Sequence, residues 1–259
     1  MMIGIIGGSG VYDASILSDV KTIKVHTPYG SPSDVIHVGK FAHHEVAFLS
    51  RHGKGHVYNP TQVNYRANIH ALKSLGVTHL LAVSAVGSLQ DHIHPGDIVF
   101  PDQFIDRTTQ RKQTFYDGSQ VAHVSMAEPF CPSLRNQLKE SALRLNISHF
   151  EKGTYVCIEG PRFSTKAESH LFRSWGGHII GMTLIPEVIL AREAELCYAT
   201  ISLSTDYDSF KEHPVTAEEI VNTMRSNVDK AKRILQDVIP RISRERACGC
   251  GSALKNALM

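Results

Sequence analysis

The sequence predicts a single three-layer α/β domain with a central mixed β-sheet flanked by helices. Three observations carry this reading. Short apolar, β-branched runs alternate with amphipathic helical stretches along the whole of the 259 residues. No linker rich in Pro, Gly or Ser divides them. Polar loops fall where the apolar runs end, the edge of an open α/β sheet at which ligands gather. Hydrophobic residues make up 42% of the chain, enough at this length for a sizeable core without staples.

Taken in order, Ile3-Gly4-Ile5-Ile6 reads as a buried strand running into Gly7-Gly8-Ser9-Gly10, which is either a tight turn or an anion-binding turn. The spacing is GGSG rather than GxGxxG, so a dinucleotide is weakly supported. Val35 to Val38 and Val46 to Ser50 are strand-like, and the second empties into the cationic loop Arg51-His52-Gly53-Lys54-Gly55-His56. Asn64 to Leu75 forms a helix burying Tyr65, Ile69 and Leu72, and Gly76 ends it before the strand Leu80 to Val83. Ser84-Ala85-Val86-Gly87-Ser88 follows directly. Ile98 to Phe100 is a strand, and residues 106–125 form a long polar excursion.

In the second half, Pro132 to Leu145 is a helix with Leu134, Leu138, Ala142 and Leu145 on one face. The strand Tyr155 to Ile158 delivers Glu159-Gly160-Pro161-Arg162. The helix Thr165 to Trp175 ends at Gly176-Gly177, and the strand His178 to Ile180 leads to Gly181-Met182-Thr183. Pro186 to Glu195 is helical, with Glu187 electrostatically comfortable in its first turn. Cys197 to Leu203 is a buried strand opening into Ser204-Thr205-Asp206-Tyr207-Asp208, and Ala217 to Val238 is a long closing helix.

Composition removes several function classes. With 27 Lys and Arg against 25 Asp and Glu, the net charge of +2 offers no bulk attraction for nucleic acid. No apolar run approaches the roughly 18 residues of a membrane span, and no targeting segment opens the chain, so a cytoplasmic location is expected. The 15 histidines fall into no HExxH or tight Cys/His spacing, so no metal is expected. Cys131, Cys157 and Cys197 sit in apolar contexts and read as inert core groups, leaving Cys248-Gly249-Cys250 as a separate pair.

The residues that suggest chemistry are Ser9, Arg51, His52, Ser84 and Thr183, each in or beside a strand-terminal loop. A planar guanidinium with directed hydroxyl donors is the mixture a small phosphate-like anion needs. Asp206 and Asp208 stand two apart after an apolar strand, so an extended backbone would point them the same way. Phe163 offers an aromatic face to a base or else packs in the core. Met182 offers a soft surface to a sugar or likewise packs inside.

These pieces resemble the trimeric purine nucleoside phosphorylase family, specifically its methylthioadenosine-cleaving branch. The resemblance rests on GGSGVYD from Gly7, RHG from Arg51, NYRAN from Asn64, SAVGSL from Ser84, DQFID from Asp102, TFYDG from Thr114, MAEPFC from Met126, EGPRFST from Glu159, GMTLIPE from Gly181 and STDYDSFKEH from Ser204. It implies a phosphorylase/hydrolase-like fold over residues 1–245 with a C-terminal tail at 246–259. It assigns phosphate to Gly8, Ser9, Arg51, His52, Ser84, Ala85 and Thr183, and the purine and ribose to Phe163, Ser164, Met182, Asp206 and Asp208. Ile220 and Val221 match the methylthio pocket, with His123 closing it from a neighbouring subunit.

The implied reaction is phosphorolysis of a 6-aminopurine nucleoside. Inorganic phosphate is the co-substrate, no cofactor is needed, no covalent enzyme intermediate forms, and the catalytic Asp206 and Asp208 attend the leaving base. An aspartate at the Asp206 position goes with 6-aminopurines in the family, whereas asparagine goes with inosine and guanosine. The expected partners are a small nucleoside, phosphate and copies of the same chain, as a trimer or a dimer of trimers. Two residues depart from the family pattern: Ser9 replaces a frequent threonine, and Gly181 replaces the asparagine of animal members. Cys248-Gly249-Cys250 resembles a CxC element of heat-loving microbial members, which implies a strained Cys248–Cys250 disulfide or two reduced thiols on a mobile tail.

Overall fold

The computed structural model describes residues 1–8, 17–211 and 217–259, with 217–222 as backbone alone. Its strands are β1 (Met2–Gly7), β2 (Ser18–Ile23), β3 (Ile36–Phe41), β4 (His44–Ser50), β5 (Val77–Ser88), β6 (Ile98–Val99), β7 (Gln103–Arg107), β8 (His149–Phe150), β9 (Thr154–Ile158), β10 (Ile179–Gly181) and β11 (Cys197–Tyr207). The helices are α1 (Tyr65–Ser74), α2 (Pro132–Arg144), α3 (Lys166–Ser174), α4 (Glu187–Glu193) and α5 (Ala217–Val238). The strands form one mixed sheet in the order β2-β3-β4-β1-β5-β10-β9-β7, with β11 joining β5 to β6 and β6 joining β8.

Alternation along the central strands produces the three layers. In β5, Leu80 and Ala82 pack into one core with α1 and α4, through Ile69, Leu72, Val188 and Ala191. The intervening Leu81 and Val83 pack into a second core with α2 and α5, through Leu134, Leu138, Ile234 and Leu235. Successive strand side chains face opposite ways, so a strand apolar at every position must be covered on both faces. Helix boundaries follow local chemistry. Asn64 caps α1 by accepting from Ala67 N, and Thr165 and Glu168 close a capping box on α3.

The structure departs from the sequence pattern where pairing extends an element. β5 continues through Ser84 and Gly87 to Ser88, and β11 continues to Tyr207, because the two strands pair in parallel from Cys197↔His79 to Tyr207↔Ser88. Ladder hydrogen bonds hold residues whose side chains alone read as loop. β2 is exposed for nearly its whole length and carries no apolar alternation, so only its antiparallel pairing with β3 reveals it. Among the described residues no helix is long and apolar enough to cross a membrane.

The Cys248–Cys250 disulfide expected from the resemblance does not exist: all five cysteines are free thiols. Nor is the cysteine pair on a loose tail. Cys248 precedes a 3₁₀ turn at Gly249–Ser252, Cys250 lies within it and is buried, and the segment beyond pairs with the main body through Ala122↔Leu258. Instead of facing each other at a bonding distance near 2.05 Å, the two thiols turn inward. Cys248 Sγ lies 3.4 Å from Cys197 Sγ and 3.6 Å from Cys131 Sγ.

Candidate active site

A cavity of about 510 Å³ opens at the carboxyl-terminal ends of β1, β4, β5, β9, β10 and β11. It is lined by Arg51, His52, Ser84, Ala85 and Thr183 from the expected anion set, and by Phe163, Ser164, Met182, Asp206 and Asp208 from the expected nucleoside set. Gly8 also lines it, while Ser9 lies outside the described residues. His123 is exposed and is not among the lining residues; its backbone N–H donates to Ala257 O at 2.8 Å. Ile220 and Val221 fall on α5, but their side chains lie outside the described residues; Met224, one turn further along, lines the cavity. A second hollow of about 420 Å³ at β2 and β3 is flanked by the exposed Lys40–Asp19 ion pair and gathers none of these groups.

At one end of the main cavity Arg51 is held rigidly. Its Nε donates to Glu187 Oε2 at 2.7 Å and its Nη2 to Glu187 Oε1 at 2.9 Å, while Nη1 donates to Val83 O at 2.9 Å. Arg51 is 2% exposed and Glu187 is fully buried. Tyr198 Oη donates to the same carboxylate at 2.8 Å. Burial alone would favour the neutral guanidine, but the Glu187 carboxylate outweighs it and holds the group firmly charged. Glu187 opens α4, where the helix N-terminus favours its charge. The result is a fixed positive charge beside Ser84 and Thr183, suited to hold a phosphate.

His52 stands next to it in a defined state. Its Nδ1 lies 2.9 Å from Tyr58 O, and because a carbonyl only accepts, Nδ1 carries the proton and Nε2 is left as an acceptor. Burial, reinforced by the Arg51 charge, pushes the ring down to about 4, so it is neutral near pH 7. Burial pushes His79 down to about 4 as well. Unfolded imidazoles titrate near 6.5, so as pH falls below that the unfolded chain takes up protons first. Stability is therefore full above about pH 6.5 and declines toward pH 4, by up to about 2 kcal/mol per histidine at pH 5. Urea unfolding at pH 7 and pH 5 checks this: the difference should shrink in His79→Gln, and an undiminished difference would contradict it.

The other end of the cavity is acidic. Asp208 is buried and faces the Ser164 hydroxyl, with both carboxylate oxygens 2.6 Å from Ser164 Oγ. Asp206 accepts from Thr205 Oγ1 at 2.6 Å. A register shift in β11 between Ser204 and Asp206 places one extra residue in the strand, so Thr205 and Asp206 both line the cavity instead of facing opposite sides. Phe163, half exposed at the mouth, supplies an aromatic face beside these acids.

A cavity with a cationic, hydroxyl-lined end and an acidic, aromatic end has counterparts in known proteins. The family model of the phosphorylase superfamily matches residues 2–240. The chain belongs to the phosphorylase superfamily. It is 57% identical to the S-methyl-5'-thioadenosine phosphorylase of Thermofilum pendens over 257 residues, covering 99% of this chain and 98% of that one. It is equally 57% identical to that of Saccharolobus solfataricus, covering 99% and 97%. Among solved structures, a methylthioadenosine phosphorylase from an antarctic soil metagenomic library superposes with a TM-score of 0.94 at 46% identity, covering 99% of this chain and 92% of that one. The Schistosoma mansoni methylthioadenosine phosphorylase, solved with adenine, gives 0.93 at 40% identity, covering 98% and 96%.

In this superfamily member, two supporting arrangements escaped the sequence pattern. Arg111, within the polar excursion, is almost wholly buried and donates to Glu159 Oε1 at 3.1 Å, Glu159 O at 2.6 Å, Met182 O at 2.7 Å and Ile185 O at 2.5 Å. It ties the loop after β9 to the loop after β10. Partial burial opposes ionisation of Glu159, but Thr61, the Thr109 N–H and Arg111 together hold it down to about 2, so this tie persists through ordinary pH. Nothing in a lone arginine between polar residues signals such a role.

The second arrangement is a close approach at Gly181. A Cβ there would lie 2.0 Å from Tyr155 Oη and 2.7 Å from its ring carbon, so the tyrosine occupies the space a side chain at 181 would need. The departure from asparagine is thus filled from within the sheet and does not enlarge the cavity. Gly181→Ala is expected to destabilise the fold by about 1–3 kcal/mol through overpacking. Trimming the tyrosine in Gly181→Ala/Tyr155→Leu should recover part of that loss. Denaturant midpoints of the single and double variants test the pairing, and strict additivity would refute it.

Proposed function

We propose that the chain catalyses phosphate-dependent cleavage of S-methyl-5'-thioadenosine to adenine and 5-methylthioribose 1-phosphate, a step of purine and methionine salvage, with adenosine as a further substrate. The observation that carries this reading is the polarity of the main cavity, which Arg51, locked by Glu187, and Asp206 face from opposite ends. The relatives carry this activity in their names.

In this mechanism phosphate sits at Arg51, His52, Ser84, Ala85, Thr183 and the Gly8-Ser9 turn. The neutral Nε2 of His52 accepts the hydrogen of a protonated phosphate oxygen. Phosphate attacks the anomeric carbon as the bond to the purine breaks, and the developing oxocarbenium charge is stabilised by the adjacent anion. Asp206, steadied by Thr205, takes up a proton from solvent and passes it to the departing base, returning to the carboxylate, and Asp208 with Ser164 binds the base edge. Phe163 covers the purine face and Met182 the ribose. No cofactor takes part. Ile220 and Val221, with Met224 in line, form the methylthio pocket, and His123 of a neighbouring subunit closes it in a trimer or a dimer of trimers. Residues 1–245 hold this machinery and 246–259 form a tail. Five thiols without a disulfide suit a reducing cytoplasm.

Adenine release from S-methyl-5'-thioadenosine, measured with and without inorganic phosphate, tests this. The expected result is release that depends on phosphate, with the sugar recovered as its 1-phosphate and inosine cleaved far more slowly. Cleavage without phosphate would make the chain a hydrolase. Equal or faster use of inosine would make it a broader purine nucleoside phosphorylase, and saturable binding with no base released would leave it a binding protein.

A further inference from the structure

Among the described residues three tyrosines are buried, and all three lie in the core between the sheet and the α1–α4 layer: Tyr65, Tyr155 and Tyr198. The Tyr65 hydroxyl donates to Pro60 O at 2.9 Å, and the Tyr198 hydroxyl donates to Glu187 Oε1 at 2.8 Å. Tyr155 has no exposure at all, yet its Oη makes no hydrogen bond with any described residue. A phenylalanine ring would fill the same space, so packing does not account for the hydroxyl, and a buried polar group without a partner weakens a fold.

Its surroundings point to the cavity. Tyr155 stands on β9 opposite Ile179 of β10, and its Oη lies 2.0 Å from where a Cβ of Gly181 would be, with Val86 Cγ1 3.2 Å from the same point. Gly181 and Val86 both line the cavity, as do Ser84 and Thr183, so the hydroxyl sits directly behind the wall at the Arg51 end. Burial, aided by Cys157, pushes the phenol's pKa up, while Arg51 and the Ser84 and Thr183 hydroxyls draw it down; it stays above its ordinary value. Tyr155 is therefore an O–H donor at any ordinary pH. The missing side chain at Gly181 admits a donor to this point as well as a ring.

We propose that Tyr155 is a positioning residue for phosphate, its hydroxyl donating from behind to the Ser84 and Thr183 hydroxyls so that their own hydrogens turn into the cavity toward the anion. The proposal rests on the phosphate reading of this end of the cavity. A serine or threonine hydroxyl has one hydrogen and two lone pairs. When a lone pair is engaged from the core side, the hydrogen is left to point outward. The single phenol hydrogen serves one of the two oxygens at a time. A chain running from tyrosine to hydroxyl to phosphate is strengthened along its length by the charge at its end. Tyr155 thus does for the neutral donors what Glu187 does for Arg51: it stands behind the groups that touch the anion and fixes their direction.

Tyr155→Phe tests this, because it keeps the ring and removes only the hydroxyl. Phosphate titrations of S-methyl-5'-thioadenosine cleavage should give a phosphate KM raised about three- to tenfold, the loss of one hydrogen bond in a chain that ends on a charge. The KM for the nucleoside and kcat at saturating phosphate should be little changed. Melting curves of the native and variant chains, with and without inorganic phosphate and with no nucleoside present, add a readout that space-filling alone would not move. Without phosphate the variant should melt no lower than the native chain, since only an unpaired hydroxyl is lost, and phosphate should raise its melting temperature by less. An unchanged phosphate KM together with equal stabilisation by phosphate would overturn the proposal. So would a variant that melts lower without phosphate or fails to fold, because the hydroxyl would then serve the fold itself. A native chain that phosphate does not stabilise would overturn the phosphate reading of the cavity and this proposal with it, whereas a native chain stabilised no more than the variant would overturn this proposal alone.

Discussion

Replacing Glu187 with alanine is expected to lower the stability of the fold by about 3–5 kcal/mol, the cost of leaving a buried charge without its partner. The Arg51 guanidinium has almost no exposure and donates to both carboxylate oxygens of Glu187, and Tyr198 would lose its acceptor as well. Glu187→Gln is the informative companion. It keeps an acceptor and the shape of the side chain but removes the charge and half of the paired geometry. This variant should fold, with a lower urea midpoint, and its KM for phosphate should rise about tenfold or more, the equivalent of about 1.4 kcal/mol, because Arg51 is no longer fixed. Arg51→Lys should raise phosphate KM in the same way, since a point charge does not reproduce the fork. If Glu187→Gln left both the midpoint and the phosphate titration unchanged, the pair would not be what orients the anion.

Replacing Asp206 with asparagine should lower kcat for S-methyl-5'-thioadenosine by about 10²–10⁴, the usual contribution of a positioned acid or base. It should do so with little change in thermal stability, because the side chain borders the cavity and the amide can still accept from Thr205. The ratio of inosine to methylthioadenosine turnover should rise, since the amide can donate to a 6-oxo group and the carboxylate cannot. Steady-state rates with both nucleosides, alongside melting curves, decide this. An unchanged kcat and an unchanged ratio would remove Asp206 from the chemistry and leave Asp208 with Ser164 as the group that meets the base.

The two variants act on opposite ends of one cavity, and their contrast follows from burial. At the Arg51 end the charges are sealed inside the sheet, so an unpaired group costs folding energy before it costs rate. At the Asp206 end the carboxylate reaches the cavity, so the loss falls on the reaction.

Much of this was determined by the sequence itself. The 3.6-residue and two-residue periods place α1, α2, α5 and the central strands, because those periods are local properties of an amphipathic chain. Asn64 and Thr165 mark helix starts because their caps bond only a few residues away. Eleven of the expected site residues line the cavity, since the carboxyl ends of the strands in an α/β sheet converge by topology. What only the tertiary structure decided depends on groups far apart in the chain. Pairing between β5 and β11 carried both strands past their apolar runs, and the register shift at Thr205 turned two successive residues toward the cavity. Glu187 reached Arg51 across 136 residues, Arg111 tied together two loops on which nothing local depends, and Tyr155 filled the space left at Gly181. The cysteines followed the same logic. Read locally, Cys248 and Cys250 belong to each other; folded, they belong with Cys131 and Cys197, because packing brings α2, β11 and the C-terminal turn to one point that no sequence spacing encodes.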